Sequence, residues 1–311
     1  MKRQQQNLPF FRTKLNRPPV AADLVCRPRL LDALDKGIRM PLSLVSAPAG
    51  YGKSMLVSHW VESRTEQCAW LSLDEEDSGM VVFLAHLLAA VRTRFPDFGA
   101  RTESLLRAHT RTPMKTLSQS LSNDLEDIET RFVLVLDDYH KLGGTQVQEL
   151  LGHLLKHPPK PLHLVISTRR DPRLPLTALR ALGQLTEVRT RDLMFTALEA
   201  AASLKAQGFS LGQAALARLQ ELVEGWGVGL RLVGLTLRHQ DDPDQFLSSL
   251  QGDIRSVQDY LLDQVLSRQP SVVQDWLIKT SLLDRFCGGL CEHVCLGNGD
   301  RVPSGFNGEA F

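Results

Sequence analysis

The sequence has few of the features that would assign it to a membrane, a secretory route or a nucleic-acid surface. Its most apolar run, Met80 to Val91, is short and contains His86, whereas a bilayer-spanning helix needs about 20 apolar residues. The opening Met1-Lys2-Arg3-Gln4-Gln5-Gln6 leads into no long apolar segment, so no signal peptide is expected. Five cysteines without a secretory signal point to a reducing compartment, and a cytoplasmic location with no membrane partner is expected. A basic excess is also missing. The 36 Lys+Arg against 35 Asp+Glu leave a net charge of +1, which argues against nucleic-acid binding by bulk electrostatics. With no helix-turn-helix signature and no internal repeat, direct DNA binding by this chain is not expected.

What is present is the composition of a soluble globular protein, 43% hydrophobic and 23% charged, and 311 residues are enough for two or three domains. The strongest local signal is Leu42-Ser43-Leu44-Val45-Ser46-Ala47-Pro48-Ala49-Gly50-Tyr51-Gly52-Lys53-Ser54. A short apolar strand runs into a glycine-bearing turn and then into a helix with Leu56/Trp60 and Val57/Val61 four residues apart. This is the pattern of a P-loop. Glycines let backbone N–H groups curl round phosphate oxygens, the helix N-terminus adds positive dipole, Lys53 reaches the β/γ-phosphates and the Ser54 hydroxyl ligates Mg²⁺. Ala47 stands where the G-x-x-x-x-G-K-[ST] pattern has its first glycine; alanine is small enough to be tolerated there.

A P-loop needs a second acid. Phe132-Val133-Leu134-Val135-Leu136-Asp137-Asp138 supplies it, as an unbroken apolar run that fits a central parallel strand with two aspartates at its carboxyl end. In a Walker B role, Asp137 holds the metal through its waters, and Asp138 orients or deprotonates the attacking water. Strand Leu162 to Thr168 follows, and Arg169 at its end reads either as a γ-phosphate sensor or as a solvated arginine in a basic turn. His140 reads as a loop residue.

From about Phe195 the strand signals give way to helices, announced by the capping box Thr196-Ala197-Leu198-Glu199. Gly208-Phe209-Ser210-Leu211-Gly212 matches the nucleophile-elbow pattern, but that motif needs a strand before its serine and here helices flank it, so a helix–helix turn is expected. Cys287, Cys291, Cys295 and His293 are spaced as on one helix face and lack a partner pair with zinc-type spacing, so they read as packed thiols.

With these residues in place, the chain resembles the N-terminal part of the large ATP-binding LuxR-type transcriptional regulators of the MalT kind, STAND-class P-loop ATPases. The resemblance rests on Thr13-Lys14-Leu15, Val25 to Leu31 with Arg27, Ser46 to Ser54 including Ala47, Trp70 to Glu75, Leu136 to His140, Thr168 to Leu176, and Gly225-Trp226 with Gly229 to Leu232. It implies an ATP/ADP switch: ADP held in a closed state, exchange for ATP on induction, homo-oligomerisation in the ATP state, and reset by hydrolysis that is at most slow. Ala47, Gly50, Tyr51, Gly52, Lys53, Ser54 and Arg27 are the implied nucleotide contacts, and Ser54 with Asp137 the implied Mg²⁺ site. Catalytic roles fall to Lys53, Asp137, Asp138 and Arg169.

The lid departs from the STAND pattern, since Arg231 or Gly227 stands where a Gly-x-Pro proline falls, and no adenine contact is assigned to it. The expected fold class is α/β, a P-loop NTPase parallel sheet sandwiched by helices, then an all-helical lid and an incomplete winged-helix domain. Expected boundaries are an arm at 1–21, the nucleotide-binding domain at 22–194, the lid at 195–245, a partial winged helix at 246–295 and a disordered tail at 296–311. The family continues into a sensor domain and a helix-turn-helix, so a regulator truncated before them is expected. A stand-alone AAA+ type ATPase and a non-hydrolysing pseudo-regulator that acts through partner binding are the alternatives.

Overall fold

Strands that are apolar on both faces need cover on both sides, and the chain provides it. The structure is a computed structural model describing residues 11–108, 112–238 and 240–249, with isolated positions between 271 and 279. Helix α1 (Pro28–Gly37) precedes β1 (Leu42–Ser46), α2 (Lys53–Glu62) and β2 (Gln67–Ser72). Next come α3 (Met80–Arg92), α4 (Ala100–Arg107), α5 (Met114–Glu126), β3 (Phe132–Asp137), α6 (Gln146–Lys156) and β4 (Leu162–Thr168). The α/β body closes with α7 (Leu176–Ala181), β5 (Leu185–Arg189) and α8 (Thr190–Leu193).

All five strands pair in parallel, in the order β2-β3-β4-β1-β5. Side chains alternate between faces along each strand. Leu134, Leu136, Leu164 and Ile166 therefore join α3, α5 and α6 in one core, while Val133, Val135 and Val165 join Leu34, Val57 and Trp60 of α1 and α2 in the other. Every residue of β1, β3 and β4 is buried, as an unbroken apolar run predicts. The edge strand β5 is only half-buried, and its Glu187 is held between Arg180 and Arg189.

The sheet order positions the site. Strand β4 lies between β1 and β3, so the loop after β1, the acids after β3 and the arginines after β4 converge at the carboxyl ends of three adjacent strands, where open parallel sheets bind ligands.

The lid follows as α9 (Ala197–Ala206), α10 (Gln213–Val223), α11 (Gly227–Leu237) and α12 (Pro243–Ser249). Thr196 and Glu199 form the expected reciprocal cap, and residues 208–212 are the α9–α10 turn. Leu204, Leu219, Leu230, Val233 and Leu247 make a separate small core. Helix α12 straddles the boundary expected at 245–246 and packs on the lid core through Phe246 and Leu247. The winged-helix span, the tail and the Cys287/Cys291/Cys295/His293 group lie outside the described residues, apart from α12 and the isolated positions. Among the described residues no helix is long and apolar enough to cross a membrane.

Candidate functional site

The loop between β1 and α2 takes its shape from two glycines. Gly50 (φ 83°) and Gly52 (φ 76°) are both left-handed, and Gly52 is the N-cap of α2. Ala47 needs no such freedom. Among the described residues only Asp138 and Glu224 are non-glycines with positive φ, and the Ala47 methyl is packed in the core beneath α2. Its backbone N–H donates to Thr168 O at 3.3 Å, carrying the β1–β4 ladder into the loop.

Lys53 and Ser54 open α2. The Lys53 side chain is buried and its Nζ donates to Pro48 O at 2.9 Å, folding the ammonium back over the loop. Burial pulls its pKa down, Arg169 adds to this, and Asp138 and Asp137 oppose it. Ser54 Oγ donates to Asp137 Oδ1 at 2.9 Å, which joins the P-loop helix directly to the end of β3. Asp137 is buried; desolvation raises its pKa, and the Ser54 hydrogen bond only partly offsets it. Asp138 sits just beyond the strand in a left-handed conformation (φ 57°), ion-paired with Lys141 at 2.6 Å.

Arg169 is exposed at the end of β4, close enough to act electrostatically on Lys53 and His140. His140 itself is half-buried, and desolvation brings its pKa down to about 4, so it is neutral near pH 7. Its Nδ1 is buried without a hydrogen-bond partner. Lys53, Ser54, Asp137, Asp138 and Arg169 thus meet in one crevice, and His140 stands beside them.

These residues fit a nucleotide phosphate chain with a divalent cation. Left-handed glycines present successive N–H groups to an anion, α2 points its N-terminus into the same space, and the paired oxygens of Ser54 and Asp137 suit a hard ion.

Beside the loop lies a cavity of about 300 Å³. Its walls are the arm at Ala21 to Val25, the flank of α2 at Met55, Leu56 and His59, and the lid at Phe195, Val228 and Arg231. The lid is fastened to the loop through two loop carbonyls. Trp226 Nε1 donates to Ala49 O at 3.0 Å, and Val228 N donates to Gly50 O at 3.0 Å. The indole packs so closely that a Cβ on Gly50 would stand 2.2 Å from Trp226 Nε1.

Arg27 lies at the same junction. Its Nη2 donates to Leu193 O at 2.8 Å and Met194 O at 2.9 Å, pairs with Glu199 at 3.3 Å, and its guanidinium stacks 4.2 Å from the Phe195 ring. These contacts tie it to the start of the lid, while its buried Nε has no partner and the residue also lines the cavity. Tyr51 packs beside the core under α2. The motif pattern pointed to the phosphate end but carried no sign of Trp226 as a lid–loop clasp. A bulky residue against an obligatory glycine becomes visible only once Gly50 and Trp226 are neighbours in space.

Fold and crevice together define a P-loop ATPase domain. Residues 24–167 match the AAA ATPase domain family, and residues 262–301 match the MalT winged helix domain. The chain is 33% identical over 279 residues to the serine/threonine-protein kinase PknK of Mycobacterium tuberculosis, covering 88% of this chain and 25% of that protein. It is 31% identical over 274 residues to the HTH-type transcriptional regulator MalT of Klebsiella pneumoniae, covering 87% of this chain and 30% of that one. The chain therefore spans between a quarter and a third of the length of these curated relatives.

Among solved structures, the Pyrococcus horikoshii STAND protein with a tetratricopeptide repeat sensor, PH0952, aligns with a TM-score of 0.57 at 17% identity, covering 89% of this chain and 37% of that one. The walker-type ATPase paby2304 of Pyrococcus abyssi gives 0.58 at 16% identity, covering 93% and 89%. Both share the fold. By its two family matches and its MalT relatives the chain is a MalT-like P-loop ATPase. Its winged-helix match starts inside the span expected at 246–295 and runs past it to residue 301.

Proposed function

We propose that this chain is the ATP/ADP switch module of a MalT-like regulator, cytoplasmic, and a slow ATPase at most. The observation that carries this reading is the 2.9 Å bond from Ser54 to Asp137 next to a loop whose Gly50 and Gly52 line a cavity also walled by the lid. The same loop thus borders the Lys53, Ser54 and Asp137 group and a cavity walled by the lid. Lys53 and the loop amides bind the β- and γ-phosphates, Ser54 and Asp137 hold Mg²⁺, and the arm, α2 and lid enclose the nucleoside. Bound Mg²⁺ supplies charge neutralisation on the phosphate oxygens.

Asp138, ion-paired with Lys141 at 2.6 Å, orients the attacking water. Arg169 reads the γ-phosphate from the end of β4. The Ala49 and Gly50 carbonyls accept hydrogen bonds from the lid, so a shift of the loop on binding a third phosphate would be passed to the lid. That is the differential interaction a population shift requires. In this reading the ATP form self-associates, and signal recognition and DNA reading belong to other parts of such a regulator. The domain limits proposed are an arm to 21, a nucleotide-binding body to 194 and a lid that extends through α12.

The test is nucleotide retention and single-turnover hydrolysis by purified protein, with Lys53→Ala alongside. Wild type is expected to retain ADP and turn over slowly, and the variant to lose binding by about a hundredfold or more. Sustained rapid hydrolysis indicates a stand-alone motor instead, and wild type that binds no nucleotide indicates a partner-binding protein.

A further inference from the structure

The start of α11 meets the phosphate loop and the N-terminal arm, by different means. At the phosphate end the contacts are the two backbone-directed hydrogen bonds from Trp226 and Val228 into the loop. One turn further along α11, Arg231 reaches to Asp23 on the N-terminal arm, 208 positions away in sequence. Both residues line the cavity, so the pair lies on the boundary between cavity and solvent. Their side chains are 27% and 50% exposed, Asp23 and Arg231 respectively.

We infer that the Asp23–Arg231 ion pair is the gate at the nucleoside end of this cavity, and that a bound nucleoside diphosphate leaves when the pair parts. The inference rests on the nucleotide reading above and adds to it the place where exchange is controlled. A ligand seated between the arm and α11 is fenced by α2 on one side and by the loop clasp on another. Among the described residues, this pair is the polar crossing between the arm at Ala21 to Val25 and α11, whereas Arg27 and Arg29 join α1 to the lid at Glu199. Exposed ion pairs are weak and open readily, which suits an element that must yield on each exchange. The arm is tied down elsewhere, by Lys14 on Asp77 and by Arg17 on Ser58 and Glu62. Opening of the gate is therefore a movement of the lid relative to a fixed arm.

The experiment is release of a fluorescent ADP analogue, chased with unlabelled ADP, from wild type, Asp23→Asn, Arg231→Gln, the double variant and the charge swap Asp23→Arg/Arg231→Asp. Each single substitution is expected to speed release about fivefold, and the double to add little beyond either one. The swap should return release towards the wild-type rate. Added salt should speed release from wild type but leave the double variant unchanged. Release indifferent to all four variants and to salt overturns the gate, as do fully additive single effects or a swap no slower than the singles. Wild type that shows no Lys53-dependent binding of the analogue overturns the nucleotide reading itself. Because the salt series uses unmodified protein, the gate stays testable even if a variant folds poorly.

Discussion

The α/β body and the helical lid face each other across the cavity, yet they are stabilised differently. In the body, β1, β3 and β4 are buried along their whole length between two apolar cores. The lid has one thin core of its own, and its attachment to the body runs mainly through polar contacts. These are Arg27 and Arg29 on Glu199, Trp226 on Ala49 O, Val228 on Gly50 O, and Asp23 with Arg231. Buried apolar contact is non-directional and survives small shifts, whereas hydrogen bonds fail with small changes in angle and distance. The body is thus the firmly packed part, and the lid is joined to it by contacts more sensitive to small displacements.

The largest expected effect comes from breaking this contrast inside each core. Leu134→Ala, at a fully covered strand position, should lower global stability by about 2–5 kcal/mol, read as a shift of the whole denaturation midpoint. Leu230→Ala in the lid removes similar volume, but its cost should appear as faster amide hydrogen exchange in α9 to α11, with the body's protection little changed. A uniform loss of protection across both regions would erase the distinction.

Gly50→Ala should act next most strongly, and at the junction. The added methyl meets the Trp226 ring and the left-handed backbone is strained, costing about 1–2 kcal/mol and displacing the lid. Adding Trp226→Ala should relieve the collision but not the strain, so midpoint stability should recover only in part.

The smallest effect is expected at the body's polar rim. Arg180, together with Arg189 and against the opposing effect of burial, holds the Glu187 carboxyl down to about 2. A depressed carboxyl contributes stability above its unfolded pKa and loses it as pH falls through the folded value. Glu187→Gln should therefore lower the midpoint slightly near pH 7, by under about 1 kcal/mol, with the difference shrinking between roughly pH 4.5 and 2. A larger effect would mean that β5 is held more firmly than its exposure indicates.

What the sequence made legible follows the same division. The runs at Leu42–Ser46, Phe132–Asp137 and Leu162–Thr168 read as strands because burial on both faces leaves no polar position in their centres, Ser43 and His163 excepted. Strand β5 gives no such signal. Thr186, Glu187 and Arg189 serve an edge whose charges are matched by Arg180 and Asp171, a pattern that looks like loop until the partners are placed. Helix α4 is similarly silent, since it buries only Thr102, capped by Asp124 from α5. At the site, Lys53, Ser54, Asp137, Asp138 and Arg169 stand out in the sequence because each belongs to a local motif or strand end, and the sheet order brings them together. Trp226 and the Asp23–Arg231 pair are not, because their partners lie far away in sequence and no spacing rule connects them.

The position of β1 between β4 and β5 also bears on how the molecule is made. Both neighbours of the strand that carries the phosphate loop lie far downstream, so its edges stay unpaired until the chain through Arg189 has been synthesised. Pairings between segments so distant in sequence are slow to form, and an unpaired apolar strand is exposed to aggregation in the interval. The loop that binds the nucleotide is therefore among the last parts of the body to take shape on the ribosome, and a ligand that needs it can stabilise the fold only after every strand is in place.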